Sequence, residues 1–142
     1  SDQQEIRKLL SQQSIANRAV HLGKIPFADL QSLLAHATAF LMPNIPQQGD
    51  MEGFGLVCLE ASLSGTLVLA SNLEGIKDAI VDQKNGLLLP WGNPQAWIEQ
   101  LQEIRQRPED YKEKAQAYQA FTLQEYSWDK MVEEYMQVFN NM

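Results

Sequence analysis

The stretch EGFGLVCLEASLSGTLVLAS, residues 52–71, holds two glycines, an apolar run, a third glycine and a second apolar run. Residues 55–64 read as a helix stopped by Gly65, because glycine takes the left-handed conformation that closes a helix without a Cβ penalty. Residues 66–71 then read as a strand buried on both faces, since their apolar character is continuous rather than alternating. A helix running straight into such a strand is the repeating unit of an α/β domain. One residue does not fit: Glu60 stands among Leu56, Val57, Cys58, Leu59, Ala61 and Leu63. A buried carboxylate costs several kcal/mol unless something pairs with it. Glu60 therefore marks either a core salt bridge or a binding site.

The pattern repeats on both sides. RAVHLG (18–23) reads as a short strand closed by a glycine, and a helix follows from Phe27 to His36 with Pro26 near its first turn and Asp29 complementing its dipole. TAFLMP (38–43) is a second buried strand, NIPQQGDM (44–51) a loop, GIKDAIVD (75–82) a short helix and NGLLLP (85–90) a turn and last strand. A polar helix over residues 2–14 precedes this alternation. Three helices follow it. NPQAWIEQLQEIRQ (93–106) has an Asn cap, Pro94 at its first position and apolar residues at helical spacing. Another helix starts at Pro108 and runs to Gln119, and residues 126–142 form a last amphipathic one. The expectation is a single α/β unit over residues 1–142, a Rossmann-like parallel sheet flanked by helices, with the helices of 93–142 packed on it as a C-terminal tail.

Composition narrows the function. At 142 residues and 44% hydrophobic content the chain can build a real core. Its formal net charge of −7 is the opposite of a nucleic-acid footprint, so no nucleic-acid partner is expected. Its apolar runs fall short of the roughly 18 residues of a membrane span, and the polar start SDQQEIRKLL is no signal peptide, so a cytoplasmic chain is the expectation. Cys58 is the only cysteine and reads as core filler; with His21 and His36 it makes no metal cluster.

In an open parallel sheet, ligands sit at the carboxyl ends of the strands. The longest loop there, PNIPQQGDMEGFG, carries Gly53 and Gly55, which let a backbone approach a ligand. A helix starting beside Gly55 aims the N–H groups of Leu56 and Val57 into that space, a setting for a phosphate. Glu52 and Glu60, eight positions apart, can face the same crevice. Two carboxylates beside an anion repel it unless hydroxyl donors engage them, which points to a sugar phosphate such as a nucleotide sugar. The competing reading, of equal weight on spacing alone, has Glu52 complementing the helix dipole and Glu60 paired inside the fold.

The glutamate pair in EGFGLVCLEA resembles the paired-glutamate motif of retaining family 4 glycosyltransferases, which have the two-domain GT-B fold. The resemblance extends through HLGKIPFADLQSLLAHATAFLMPN, GTLVLASNLEGIKDAIVDQKNGLLLPWGNPQAW and YSWDKMVEEY, covering residues 18–139. It implies the donor-binding half of such an enzyme, using a UDP- or GDP-sugar. Glu52 would then be the catalytic residue and bind hydroxyls of the transferred sugar, beside amides of Gly53, Phe54 and Gly55. The amides of Leu56 and Val57 would hold the distal phosphate, Glu60 the ribose hydroxyls, and the backbone at Lys24 and Ile25 would border the base. No metal or other cofactor is implied. A non-catalytic nucleotide-sugar-binding or interaction module is the alternative.

Two positions depart from the family pattern: Thr66-Leu67 after Gly65 where a GxP run is usual, and Glu74 before Gly75 where a second glycine is common. The first strands of the family's donor domain, with the Arg and Lys that clamp the diphosphate, and the N-terminal acceptor domain are also not in this sequence. The resemblance thus implies a part of a longer enzyme, inactive by itself, whose whole form is open to membrane association.

Overall fold

A computed structural model describes residues 4, 6, 8–10, 18–46 and 55–140. The chain divides into two compact units, residues 1–31 and 32–142.

In the first unit, residues 4, 6 and 8–10 are helical, as expected of the polar start. RAVHL is not a strand: Arg18 is in a turn and residues 19–22 have neither helix nor strand geometry. A strand needs a neighbour for its backbone groups, and apolar character over so few residues does not supply one. Helix α1 (Phe27–His36) spans the boundary between the units. The N–H groups of Asp29 and Leu30 donate to the Pro26 carbonyl, both at 3.1 Å, so proline opens the helix as its fixed φ allows.

The second unit carries a three-stranded parallel sheet in the order β1 (Ala39–Met42), β2 (Leu67–Ser71), β3 (Leu87–Leu89). Ala39 is level with Leu67 and Met42 with Ala70; Leu69 is level with Leu87 and Ser71 with Leu89. The crossovers run through α2 (Leu56–Leu63) and α3 (Ile76–Ala79). All five residues of β2 are buried, which is what the continuous apolar run demanded. The expected α/β class, with its parallel sheet and helical tail, is the architecture found. Among the described residues the sheet has three strands rather than four.

Pleating sends Leu67 and Leu69 to one face, where with Leu87 they meet Ile104, Tyr111, Ala115 and Tyr118. Ile104 belongs to α4 (Pro94–Gln106), whose Asn93 side chain caps the Ala96 N–H at 3.3 Å; the other three belong to α5 (Pro108–Glu125). Helix α5 outruns the end expected at Gln119 because Thr122 has tertiary work. Its hydroxyl lies 2.8 Å from that of Ser62 on α2, and both are fully buried. At the start of β2 the Thr66 hydroxyl donates to the Leu34 carbonyl of α1 and ties helix to strand, while Leu67, which stands where a GxP run has its proline, is buried. Helix α6 (Trp128–Asn140) buries none of its residues. No helix among the described residues is long and apolar enough to cross a membrane.

Candidate functional site

The site is built where β1 and β2 end. Met42 closes β1, and its sulfur accepts from the Cys58 thiol at 3.1 Å, so the first turn of α2 is seated on the carboxyl end of that strand. Cys58 is fully buried, as core filler should be. Gly55 caps α2 with φ 40° and ψ 33°, the left-handed region. A Cβ there would also sit 3.4 Å from the Ala79 Cβ and 3.6 Å from the Ile76 Cα. The head of α2 and the short helix α3 are therefore neighbours, with room for a Cβ at ordinary contact distance, and it is the positive φ that favours glycine there.

The Cys58 N–H donates to the Gly55 carbonyl at 2.8 Å, and no side chain among the described residues caps the helix. The amides of Leu56 and Val57 have no acceptor among the described residues. These are the first N–H groups of the helix, which carry its positive end and suit an oxyanion.

Glu60 is not buried. Cys58, Leu59, Ala61 and Ser62 turn inward, whereas Leu56, Glu60 and Leu63 lie on the exposed side of α2. The spacing of four and three residues along that side is the helical repeat. Its carboxylate makes no ion pair among the described residues, while its carbonyl accepts from the Ser64 hydroxyl at 2.8 Å and the Ser64 N–H at 3.1 Å. The desolvation problem posed by the sequence is thus absent, and the internal salt bridge with it.

After β2 the chain turns at once. The Leu73 N–H bonds back to the Ser71 carbonyl and the Asn72 N–H to the Leu89 carbonyl, each at 2.8 Å. Glu74 and Lys77 are exposed on either side of Gly75, so a charge of each sign stands at the opening of α3. One residue here had no signal in the sequence. Ser71, the last residue of β2, is fully buried, and its hydroxyl has no hydrogen-bond partner among the described residues.

The structure therefore brings Gly55, Leu56, Val57 and Glu60 together on α2. Lys24, exposed, and Ile25, half-buried, stand in the unit of residues 1–31, in a stretch that is neither helix nor strand. His21 belongs to the same stretch. Glu52, Gly53 and Phe54 lie outside the described residues.

A parallel sheet with a helix N-terminus open at its carboxyl edge defines an α/β domain of the kind that takes anionic ligands. Comparison with known proteins makes the assignment narrower: the chain belongs to the family described as Glycosyl transferases group 1, whose pattern matches residues 1–135. A D-inositol 3-phosphate glycosyltransferase of Corynebacterium urealyticum is 27% identical over 137 residues, covering 96% of this chain and 31% of that protein. A phosphatidyl-myo-inositol mannosyltransferase of Mycobacterium leprae is 28% identical over 121 residues, covering 85% and 31%. Among solved structures, Anabaena Alr3699/HepE in complex with UDP superposes with a TM-score of 0.80 at 21% identity, covering 98% of this chain and 36% of that one. The fold is GT-B-like, and the chain spans about a third of the length of these relatives.

Proposed function

We propose that this chain is the donor-binding part of a retaining family 4 glycosyltransferase, which moves a sugar from a UDP- or GDP-sugar to an acceptor held by an N-terminal domain outside these residues. The observation that carries the reading is the pair of Leu56 and Val57 amides, without acceptors among the described residues, at a helix head seated on the sheet's carboxyl edge. Those amides hold the distal phosphate. Glu60, exposed one turn further along the same helix, accepts from the ribose hydroxyls. By resemblance Glu52 binds hydroxyls of the transferred sugar beside the amides of Gly53, Phe54 and Gly55, and the backbone at Lys24 and Ile25 borders the base. The structure of HepE was determined with UDP and also with UDP-glucose, a relative's ligands consistent with this class of donor.

The chemistry follows from where charge develops. Breaking the anomeric bond leaves a nucleoside diphosphate, and fixed amides at a helix N-terminus stabilise that charge without reorganising. In this reading no metal takes part. The acceptor attacks an oxocarbenium-like sugar on the face the diphosphate leaves, which retains the anomeric configuration and needs no covalent nucleophile. The reaction is cytoplasmic.

A second reading, a module that binds a nucleotide sugar without turnover, is favoured by the exposed Glu74 before Gly75, a carboxylate at the opening of α3 where the family commonly has a second glycine. Calorimetric titration of the full-length protein with UDP, GDP and ADP, followed by turnover assays with sugar donors, separates the two. The enzyme reading expects binding of UDP or GDP, turnover, and loss of at least about a hundredfold in rate for Glu52→Ala with folding kept. Binding without turnover of any donor selects the module. Full activity in Glu52→Ala removes that residue from the mechanism.

A further inference from the structure

We infer that Tyr126, in the corner between α5 and α6, is a positioning residue for the donor site, acting through α3 on the head of α2. The inference rests on the donor-site reading of Leu56 and Val57. Its starting point is the weakness of α3. With four residues it can close few internal bonds, among them the Ile80 N–H to the Ile76 carbonyl at 2.8 Å, and its last carbonyls are left for other partners. Two side chains supply them. The Ala79 carbonyl accepts from the Asn85 side-chain amide at 2.8 Å and from the Tyr126 hydroxyl at 2.9 Å; the same hydroxyl lies 3.3 Å from the Asp78 carbonyl.

The two donors differ in origin. Asn85 is fully buried and local, since its side-chain oxygen also accepts from the Val81 N–H at 2.7 Å. Tyr126 comes from the far end of the chain, where its own N–H is fixed on the Thr122 carbonyl at 3.0 Å and Thr122 in turn meets Ser62 of α2. Burial pushes its phenol up from 10.0, so at neutral pH the hydroxyl stays protonated and able to donate.

What α3 supports is the cap of α2. The Ala79 Cβ and the Ile76 Cα lie 3.4 and 3.6 Å from the place a Cβ on Gly55 would take, so α3 borders that cap. The carbonyl that Tyr126 holds belongs to one of those residues. Through Ala79, α3 thus borders Gly55, whose left-handed conformation sets the direction of the Leu56 and Val57 amides. The route is a chain of contacts, Tyr126 to Ala79 to Gly55, with no ligand contact by Tyr126 itself.

Tyr126→Phe removes the hydroxyl and keeps the ring. In the full-length protein, hydrogen exchange without nucleotide is expected to quicken at the amides of Ile80 and Cys58, the latter bonded to Gly55, and to stay at the wild-type rate at the amides of Leu67 to Ser71. Affinity for UDP, or for GDP where the wild type binds GDP instead, is expected to fall about fivefold, the loss of one hydrogen bond. A Cys58 amide exchanging as in the wild type overturns the linkage, and so does an acceleration that includes β2, which would make Tyr126 a general stabiliser. An unchanged affinity for that nucleotide in a variant with altered exchange overturns the positioning role. Wild-type protein that binds neither UDP nor GDP refutes the donor-site reading instead, and the exchange arm still decides the linkage.

Discussion

Ser71 and Glu60 show how far a residue's chemistry departs from its place in a pattern. Glu60 looked misplaced in an apolar run, yet it lies on the exposed side of α2 with Leu56 and Leu63, where its charge stays in contact with water. Ser71 looked ordinary, the polar end of a buried strand, and it carries the greater anomaly. Its hydroxyl is fully buried without a partner among the described residues, a cost of about 1–3 kcal/mol by itself. Ser71→Ala is therefore expected to stabilise the protein by about 1 kcal/mol in urea unfolding without nucleotide. A destabilisation of similar size would mean that the hydroxyl is bonded after all. The burial of Ser71 follows from the continuous run of 66–71, but neither its missing partner nor the exposure of Glu60 was legible, because partners at a strand end depend on the following loop, and the loop from Asn72 to Gly75 gives no periodic signal.

At the scale of elements, propensity and pattern reached what is local. The helix before Gly65, the strand after it, the Asn93 cap with Pro94 and the strand at residues 87–89 all follow from side-chain periodicity and caps within a few residues. What failed was non-local. RAVHL has strand-like residues but no strand geometry, and α5 continues past Gln119 because Thr122 meets Ser62, sixty positions away. That contact is open to a double-mutant cycle. Thr122 also donates to the Tyr118 carbonyl at 2.8 Å, so the Ser62 hydroxyl depends on Thr122 more than the reverse. Thr122→Val is expected to cost about 1–3 kcal/mol by leaving Ser62 unsatisfied, and adding Ser62→Ala is expected to recover much of that. Additive losses in urea unfolding would show that the two hydroxyls do not share a bond.

For the whole molecule, the α/β architecture was legible because alternating buried runs and helices admit few arrangements. The candidate site was legible only in part. Gly55, Leu56 and Val57 follow from a helix start at the sheet's carboxyl edge, whereas the tie from Tyr126 to Ala79 joins residues 47 positions apart. The same long-range packing of α5 and its corner gives the molecule a pH dependence. Tyr111, Tyr118 and Tyr126 all have phenols raised above 10.0, with burial as the leading cause in each. A raised value means that the folded chain holds these protons more tightly than the unfolded one. Their contribution to stability is complete below pH 10, begins to fall as the unfolded phenols ionise, and is lost as pH rises through the folded values. Urea midpoints measured from pH 8 upward are thus expected to stay level with respect to these groups until about pH 10 and then to drop. Tyr118→Phe, which removes a phenol from the β2–α5 core and leaves the ring, is expected to make the drop shallower; a slope unchanged in that variant would assign the alkaline loss to other groups.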